Sequence, residues 1–503
     1  MAEKGKAKGP RKSRTWQWAA GLLGAVGGLV IVFFALRPAR CLGVAFGEGP
    51  VPLDPHLGNR SAGWSVLASF YDALVGTTPE LAPEPALAMS WRQVSPTLWR
   101  FSLRPGVRFH DGNALTALDV VASFDRARTH PNSAVRHYLA GVRSVRAEGD
   151  RSIVIETDQP VPNLVNRLAF VLIVPASQAG RQRITTPIGT GPYRFVELLK
   201  DGTVLAEAWS GWRGRPACRN VRFEFCGNGE VALGRLLTGK VDVCHLVPDA
   251  SIREVSQIPG LRLELQPRLA VQCLSADLDI AQGETRRALA DRRVREALLL
   301  ALNRAGYVAD LYHGNGLVAS QYVHPAVFGY DPSLAPLPHD PVAARRLLAE
   351  AGFPAGFAVE LGHDASNTDI AEAIGRDLAS IGVHVELRPG AKRAPLLYFS
   401  WGCTTGDASD FLDSMVRASS YPRNAANVGF ADPETEALLE LADRETDRAR
   451  RLSLLQQAQR RTLDVLPILP LTVRWGSKGV SSRVDVVNRF DEREYVAAFR
   501  WRS

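Results

Sequence analysis

The residues best suited to acid–base chemistry are three aspartates that lie close together late in the sequence. Asp407, Asp410 and Asp413 follow one another at intervals of three residues after Trp401. Paired carboxylates can serve as a general acid and a general base. No base or nucleophile stands beside them, so the pattern favours contact with a ligand, or a solvated loop, over catalysis.

A second candidate is a phosphate-binding loop between Gly234 and Lys240. The run satisfies most of that pattern, but Val241 stands where a metal-binding Ser or Thr is required. A phosphate loop also follows a strand and opens a helix, whereas here a helix over residues 230–237 precedes the run and a strand follows it. We therefore predict that Gly239 ends a helix, and we expect no nucleotide site.

Other catalytic and metal-binding patterns are missing from the sequence. Neither a GxSxG nucleophile elbow nor an HExxH zinc motif occurs. The ten histidines are scattered, and the only adjacent Cys/His pair is Cys244 with His245. Neighbouring residues on a strand point to opposite faces. The sequence thus predicts a protein that is not an enzyme, with no metal site and no cofactor.

The six cysteines leave two interpretations open. None of them forms a CxxC pair, which excludes zinc-ribbon and thioredoxin-like sites. Cys218 and Cys226 flank an alternating strand over residues 220–225, where a local disulfide is possible in an oxidising compartment. Buried free thiols are the alternative.

Charge is concentrated at the N-terminus of this 503-residue chain. The formal net charge is +8, but residues 1–40 carry eight Lys and Arg against one Glu. The remaining residues hold 52 basic and 51 acidic side chains, so the body gives no basic surface for nucleic acid. At 46% hydrophobic and 22% charged residues, the composition is that of a folded globular protein.

A run of 21 residues from Trp16 to Leu36 carries no charge, and about 20 apolar residues span a bilayer as a helix. Six Lys or Arg precede the run, which places residues 1–15 in the cytoplasm and the body outside. The run exceeds the usual length of a signal peptide core, and no clean small-x-small cleavage site follows. Arg40 stands before Cys41, where a lipid-modified cysteine needs a small residue. We expect a transmembrane anchor over 16–36, with a cleaved periplasmic signal as the alternative.

Beyond this run, β-rich and helical segments alternate, which predicts an α/β or α+β fold in more than one lobe. Thr116 is a plausible N-cap for a helix that runs towards Arg128. The clearest predicted strands cover residues 99–103, 154–156, 241–243, 261–265, 358–361, 383–387 and 397–400. The clearest predicted helices cover residues 292–312, 341–351, 369–381, 433–444 and 449–465.

Ten short segments occur in a characteristic order along the body. They are Leu53–His56, Phe70–Gly76, Pro85–Trp91, Trp99–Gly112, Leu115–Phe124, Ile188–Arg194, Leu236–Val243, Asp291–Arg304, Leu347–Phe353 and Leu466–Leu471. Each alone is a weak signal. As an ordered set covering residues 42–503, they resemble the family 5 solute-binding proteins of ABC importers, which include oligopeptide-, dipeptide- and nickel-binding proteins.

The resemblance implies a two-lobe, three-domain flytrap of the periplasmic-binding-protein type II class (class C), preceded here by one N-terminal transmembrane helix. Residues 42–50, 170–260 and 471–503 would form lobe I, and residues 51–169 would form a domain inserted into it. Lobe II would cover residues 261–470, with hinge crossings near 266–275 and 471–475. Hinge closure around a ligand is a recognised motion of such folds.

The resemblance also identifies the expected ligand contacts. The family's aspartate for a ligand amine follows a Trp by three residues; here the Trp is Trp401 and that position holds Thr404. Either Asp407 replaces the missing aspartate, or the ligand has no free amine. The expected contacts are Glu48 and Gly49 from lobe I and Tyr398, Trp401, Thr404, Asp407 and Asp410 from lobe II.

The sequence therefore predicts an extracytoplasmic binding protein that captures a solute, by default a peptide, and delivers it to an ABC permease. It is expected to be a monomer, anchored in the cytoplasmic membrane through residues 16–36, or periplasmic if the segment is cleaved. The alternative on the same fold is a membrane-tethered sensor, or a binding protein for a lipid, sugar, opine or metal chelate.

Overall fold

The structure is a computed structural model that describes residues 40–58, 61–266, 268–417 and 430–502. The predicted membrane segment, residues 16–36, lies outside the described residues. Across the described ranges, no helix has the length and apolar character needed to cross a membrane.

A seven-stranded sheet contains the first strand of the described chain and one of its last. The first strand, Cys41–Phe46, lies parallel to Val243–Cys244, which in turn pairs antiparallel with Gly476–Ser481. The full order is Leu261–Gln266, Gly476–Ser481, Val243–Cys244, Cys41–Phe46, Asn220–Phe225, Val204–Ala208 and Tyr193–Leu198. We call the part of the molecule built on this sheet the first lobe.

A four-stranded antiparallel sheet packs on the first lobe. Its order is Ala88–Ser95, Leu98–Leu103, Ser152–Thr157 and Val142–Ala147. One continuous hydrophobic core joins the two sheets, since Val44 of the seven-stranded sheet and Phe101 and Ile153 of the four-stranded sheet belong to the same buried cluster.

A six-stranded sheet forms what we call the second lobe. Its order is Gly316–Val318, Ile468–Arg474, Ala270–Ala276, Leu396–Gly402, Phe357–His363 and Val383–Pro389. Its two faces carry separate buried clusters, one around Leu274 and Tyr398 and the other around Val271 and Phe411. The alternation of side chains along a strand produces this division.

Two short crossings connect the seven- and six-stranded sheets. One lies between Leu261–Gln266 and Ala270–Ala276, and the other is Trp475. The sequence assigned residues 261–266 to the second lobe and 471–474 to the first. Strand pairing reverses both assignments, so the lobe boundaries fall a few residues later than predicted, while both crossings lie within the ranges 266–275 and 471–475 given for the hinge. Pairing partners such as Ser481 for Leu261 are visible only in three dimensions.

The longer helices are Ser61–Phe70, Ala117–Thr129, Gly229–Leu237, Gly283–Ala290, Arg292–Ala301, Pro341–Glu350, Thr368–Ala379, Pro433–Arg444 and Arg448–Val465. Local chemistry explains where several begin. Asp340 caps the helix at Pro341 by accepting the N–H groups of Val342 and Ala343, and Asp432 caps the helix at Pro433 through Thr435 N–H. An aspartate followed by proline is a strong start signal.

The predicted helix over 292–312 is interrupted. It runs as Arg292–Ala301, then Arg304–Gly306 and a π-helical turn at Tyr307–Leu311. The break occurs because Asn303 starts a new helix, its side chain accepting the N–H of Gly306 at 3.0 Å. The predicted role of Gly239 is confirmed: it follows Gly229–Leu237 with φ of +67° and donates its N–H to Leu236 O.

The segment Leu53–His56 forms a buried junction between the inserted part and the first lobe. Both carboxylate oxygens of Asp54 accept hydrogen bonds from Arg126, at 2.9 and 2.6 Å, and one also accepts from Ile184 N. The imidazole Nε2 of His56 lies 2.9 Å from Leu172 O. Burial lowers the pKa of His56 to about 4, so the ring is neutral. We call Asp54, His56 and Arg126 the junction cluster.

Two further segments of the ordered set meet beside this junction. Gly189 and Gly191 press against Phe70, where an added Cβ would lie 2.1 and 2.8 Å from its carbonyl oxygen. The ring Nε2 of His110 lies 3.0 Å from Gly191 O. Only glycine permits this approach, so these segments serve packing.

Cys226, Cys244, Cys273 and Cys403 are free thiols, so the local bridge from Cys218 to Cys226 is not formed. The alternative interpretation from the sequence, buried thiols, fits Cys218, Cys244, Cys273 and Cys403; Cys226 is half-buried.

Candidate functional site

The two lobes meet along the loop that follows the strand Leu396–Gly402. From the first-lobe side, Asn163 donates its side-chain N–H to Ser409 Oγ at 3.0 Å, and Asn166 donates to Thr405 O at 2.9 Å. Gly406 shapes the loop with φ of +76°, and Leu81 packs against it. We call this contact zone the seam.

Asp407 is committed to the interior of the second lobe. Its two oxygens accept hydrogen bonds from Arg451 at 2.6 and 2.9 Å, and one oxygen also accepts from the N–H and hydroxyl of Ser409. Burial opposes ionisation, but Arg451 and these donors hold the pKa of Asp407 below its usual value. This carboxylate therefore has a complete set of partners and acts as an internal support for the loop.

Asp410 occupies a different environment on the same loop. Its Oδ2 accepts the N–H of Thr405 at 2.9 Å, and no Lys or Arg of the described chain lies within ion-pair distance of it. Burial raises the pKa of Asp410 to about 7, and the neighbouring Asp407 acts in the same direction. A cation placed beside Asp410 would favour its ionised form and lower this raised pKa.

Tyr138 links Asp410 and Thr404 to the first-lobe side of the seam. The ring of Tyr138 stacks on Phe170 at 4.5 Å with an interplanar angle of 19°. Burial raises the pKa of Tyr138 to about 12, an effect opposed by its hydrogen bond with the Thr404 side chain. Thr404, at the position where the resemblance predicts an aspartate, thus faces a phenol across the seam.

Arg493 lies near Tyr138 and interacts with it electrostatically. Its guanidinium carbon is 4.7 Å from the ring centre of Trp64 and 4.6 Å from that of Phe170, two rings that pack edge to face at 5.5 Å. Burial lowers the pKa of Arg493, although an arginine stays charged in this range. The two neighbouring rings stabilise the cation.

The loop that carries Arg493 is fixed at both ends. Upstream, Arg489 pairs with Asp491 and donates to Thr77 O at 2.9 Å. Downstream, Glu494 is fully buried between His245, at 2.6 Å, and Lys478, at 2.8 Å. These partners hold the pKa of Glu494 below its usual value against the opposing effect of burial.

Asp413 is half-buried, with 39% of its side-chain surface exposed. Burial and the neighbouring Asp443 both raise its pKa. Arg167 lies close enough to Asp410 and Asp413 to interact electrostatically with both, so charged groups of both signs lie near one another at the seam.

The seven predicted contacts fall in three places. Thr404 and Asp410 lie at the seam. Trp401, half-buried, is the last residue but one of the strand that leads to it, and its indole N–H is buried and unpartnered among the described residues. Asp407 supports the loop, and Tyr398 packs in the core on the opposite face of the sheet from Trp401. Glu48 and Gly49 follow the first strand, where Glu48 O accepts Gly227 N of the same lobe at 2.9 Å.

Sequence reasoning did not identify Tyr138, Arg167 and Arg493. Arg493 is the middle residue of Asp491–Tyr495, a charged stretch in the C-terminal segment. An aspartate, a glutamate and an arginine in succession could have marked a functional loop, but nothing local identifies the aromatic rings that enclose Arg493. Among the described residues, no group of three or more His, Cys, Asp and Glu side chains is arranged to hold a metal ion.

Comparison with known proteins gives a consistent result. Residues 82–422 match the profile of a family described as bacterial extracellular solute-binding proteins, family 5 Middle. The chain is 29% identical over 474 residues to the glutathione-binding protein GsiB of Pectobacterium atrosepticum, covering 89% of this chain and 90% of that protein.

Solved structures agree with the architecture. HbpA2 from Haemophilus parasuis superposes with a TM-score of 0.80 at 24% identity, covering 92% of this chain and 100% of that one. The periplasmic binding protein DppA from Helicobacter pylori, in complex with the peptide STSA, gives a TM-score of 0.78 at 22% identity, with coverages of 92% and 98%. Both likenesses support a two-lobe mixed α/β fold.

Proposed function

Because the chain belongs to the bacterial extracellular solute-binding proteins of family 5, we propose that it captures a peptide-like solute at the seam between its lobes and delivers it to the permease of an ABC importer. Members of this family are extracytoplasmic binding proteins of ABC importers. The prediction that the protein is not an enzyme is confirmed by this membership.

The observation that carries the proposal is the position of Asp410. It is a desolvated acid without a cationic partner in the described chain, and it lies where the two lobes touch. In this proposal a ligand ammonium pairs with Asp410, which compensates for the threonine at position 404. Asp407 stays with Arg451 and is not released, because an uncompensated buried arginine would be costly.

Trp401 and Thr404 complete the proposed second-lobe wall. The unpartnered indole N–H of Trp401 gives a donor for a ligand carbonyl, and the hydroxyl of Thr404 gives a further polar contact. Glu48, Gly49 and Tyr398 are not needed by this proposal and stay predictions from the sequence.

A peptide is the preferred solute class for two reasons. The relative with 29% identity is a glutathione-binding protein, and glutathione is itself a small peptide. The seam also places an acid, Asp410, near two cations, Arg167 and Arg493, which suits a zwitterion. A sugar or a lipid would leave those charges without partners.

The test is native mass spectrometry of the full chain, recorded before and after denaturing release of bound solutes. We expect a co-purified mass that fragments as a peptide. A sugar, lipid, opine or metal chelate in its place would reject the peptide proposal while keeping solute capture. If no solute co-purifies, titration with a dipeptide and tripeptide mixture follows, and failure of all of them to bind would reject it.

Residues 16–36 support a further part of the proposal, that the protein is tethered to the cytoplasmic membrane as a monomer beside its permease. Tethering raises the effective concentration of the binding protein at its partner. The intact mass of the membrane-associated protein tests this: loss of about forty N-terminal residues would show a cleaved signal instead.

A further inference from the structure

Every fully buried arginine in the described parts of the chain is supplied with acceptors, whereas a half-buried arginine at the seam is not. The fully buried ones, each of which donates to carboxylates or carbonyls, are Arg126, Arg295, Arg304, Arg451 and Arg489. Arg295 alone donates to four backbone carbonyls, at 2.6 to 2.9 Å. This is the expected state, because a guanidinium has five donors and burying them unpaired is costly.

Arg493 is this half-buried arginine. It is 12% exposed, and within the described chain no acceptor lies in hydrogen-bonding distance of its guanidinium. The nearest carboxylate oxygen, Asp491 Oδ2, is 3.7 Å from Nε and is shared with Arg489. Its contacts are instead the faces of Trp64 and Phe170. A guanidinium that is largely desolvated and has no acceptor among the described residues is suited to bind an anionic ligand.

The surroundings keep this guanidinium in place. Two aromatic rings restrict its rotation, and the next residue, Glu494, donates its backbone N–H to Ser65 Oγ at 2.9 Å while its carboxylate is held by His245 and Lys478. A pre-organised donor loses little entropy when a ligand arrives, which increases affinity. Arginine also matches the geometry of a carboxylate with two parallel hydrogen bonds.

Arg493 of the first lobe and Asp410 of the second lobe both interact electrostatically with Tyr138. A solute with a carboxylate for Arg493 and an ammonium for Asp410 would therefore bridge the first lobe to the second. Such a bridge favours the closed state, because each lobe alone offers only one of the two partners.

We infer that Arg493 binds the carboxylate of the captured solute, so that the solute class is restricted to carboxylic acids. This inference rests on the proposed function, because it assigns one end of the same site. It predicts discrimination against amides and esters, since replacing a carboxylate removes the charge that Arg493 requires.

The experiment compares free acids with their neutral derivatives by isothermal titration calorimetry of the full chain. The probes are glutathione with its dimethyl ester, and Ala-Ala-Ala with its C-terminal amide. We expect the wild type to favour the acid, and Arg493→Gln to weaken acid binding about 10- to 100-fold. The neutral derivative should bind the variant and the wild type alike. Arg493→Lys, which keeps the charge, should restore part of the acid affinity.

The matched control is Arg143→Gln, a surface arginine of the inserted part that pairs with Asp158 and should leave all affinities unchanged. Thermal unfolding of each variant distinguishes a folding defect from the loss of a specific contact. A folding defect would weaken the binding of acid and amide equally. Unchanged acid binding by Arg493→Gln, or equal binding of acid and amide by the wild type, would overturn the inference while solute capture stands.

If neither probe pair binds the wild type, the co-purified solute decides. A solute without a carboxyl group overturns the inference alone, and one with a carboxyl group replaces the probes in the same Arg493→Gln comparison. A chain that neither co-purifies with nor binds any solute overturns the inference together with the proposed function.

Discussion

The junction cluster and the seam both contain aspartate and arginine, but these residues are fully paired at the junction and incompletely paired at the seam. At the junction, Asp54 gives both oxygens to Arg126 and accepts two backbone N–H groups, from His56 and Ile184. At the seam, Asp410 accepts one backbone N–H, and Arg493 contacts two rings and lies 3.7 Å from Asp491 without a hydrogen bond to any described acceptor. Complete pairing fixes two parts of the chain to one another, whereas incomplete pairing leaves capacity for a ligand.

The difference shows where to look for function in this fold. A buried charge that is fully paired contributes to structure, and breaking it destabilises the protein. A buried charge that lacks a partner reduces stability in the absence of ligand, and such groups concentrate at functional sites. This difference can be tested by substituting residues of the junction cluster and then residues of the seam.

The largest effect is expected at the junction. Asp54→Asn leaves Arg126 buried without a counter-ion, which should lower the free energy of unfolding by about 3 to 5 kcal/mol. Urea denaturation followed by circular dichroism measures this. Asp158→Asn, which removes an exposed partner of Arg143, should change it by less than about 1 kcal/mol. Similar values for the two variants would contradict the importance of the junction cluster.

The junction also has a defined dependence on pH. Burial opposes ionisation of Asp54, but Arg126 and the backbone donors hold its pKa below the usual value. Its contribution is therefore present above the pKa of an unfolded aspartate, near 3.9, and is lost as the pH falls through the lower folded value. Asp54→Asn should remove that part of the acid-induced loss of stability.

The next largest effect is expected at Asp410, with the opposite sign of pH dependence. Its folded pKa of about 7 lies above that of an unfolded aspartate. Protonated Asp410 therefore contributes to the free energy of unfolding of the ligand-free protein at low pH, and this contribution is lost as the pH rises through 7. Binding of a free-amine peptide requires the ionised form. Affinity should therefore rise about tenfold per pH unit between pH 5 and 7, and level off above.

Asp410→Asn should abolish this pH dependence and lower affinity about 10- to 100-fold at pH 8. Calorimetry at several pH values tests both effects. Asp407→Asn is the matched comparison: it should lower the free energy of unfolding, because Arg451 loses its partner, without removing the dependence on pH. If Asp407→Asn flattens the pH profile and Asp410→Asn does not, the roles of the two carboxylates are reversed.

A smaller gain is expected at Thr404. Thr404→Asp places an aspartate where the resemblance predicts one and should raise affinity for free-amine peptides about tenfold at pH 8. N-acetylated peptides are the control and should gain nothing. Unchanged affinity for free amines would mean that position 404 is not the equivalent of the family's aspartate.

The smallest effect is expected at Asn166, whose side chain crosses the seam to Thr405 O. Asn166→Ala removes one hydrogen bond, worth about 0.5 to 1.5 kcal/mol, and should lower solute affinity about two- to tenfold by disfavouring closure. Small-angle scattering of the ligand-free protein should show a larger mean radius. An unchanged radius with unchanged affinity would mean that this contact does not stabilise closure.

The sequence predicts the local elements of this fold well. The helix Pro433–Arg444 was predicted at both ends, because Asp432 and Pro433 form a complete start signal. The pairing of distant strands could not be predicted in the same way, because nothing in residues 261–266 indicates that they pair with residues 476–481. The site was predicted in part, since the loop after Trp401 was located. Charge alone could not distinguish Asp407 from Asp410, because only the position of Arg451 separates them.

The seven-stranded sheet has a consequence for the order of synthesis. Its strand Cys41–Phe46 is synthesised long before Gly476–Ser481, which belongs to the same sheet. Such distant partners make folding slow, because the sheet cannot be completed until residues 476–481 have been made. A chain that stops short of residue 476 would therefore lack both this strand and Arg493.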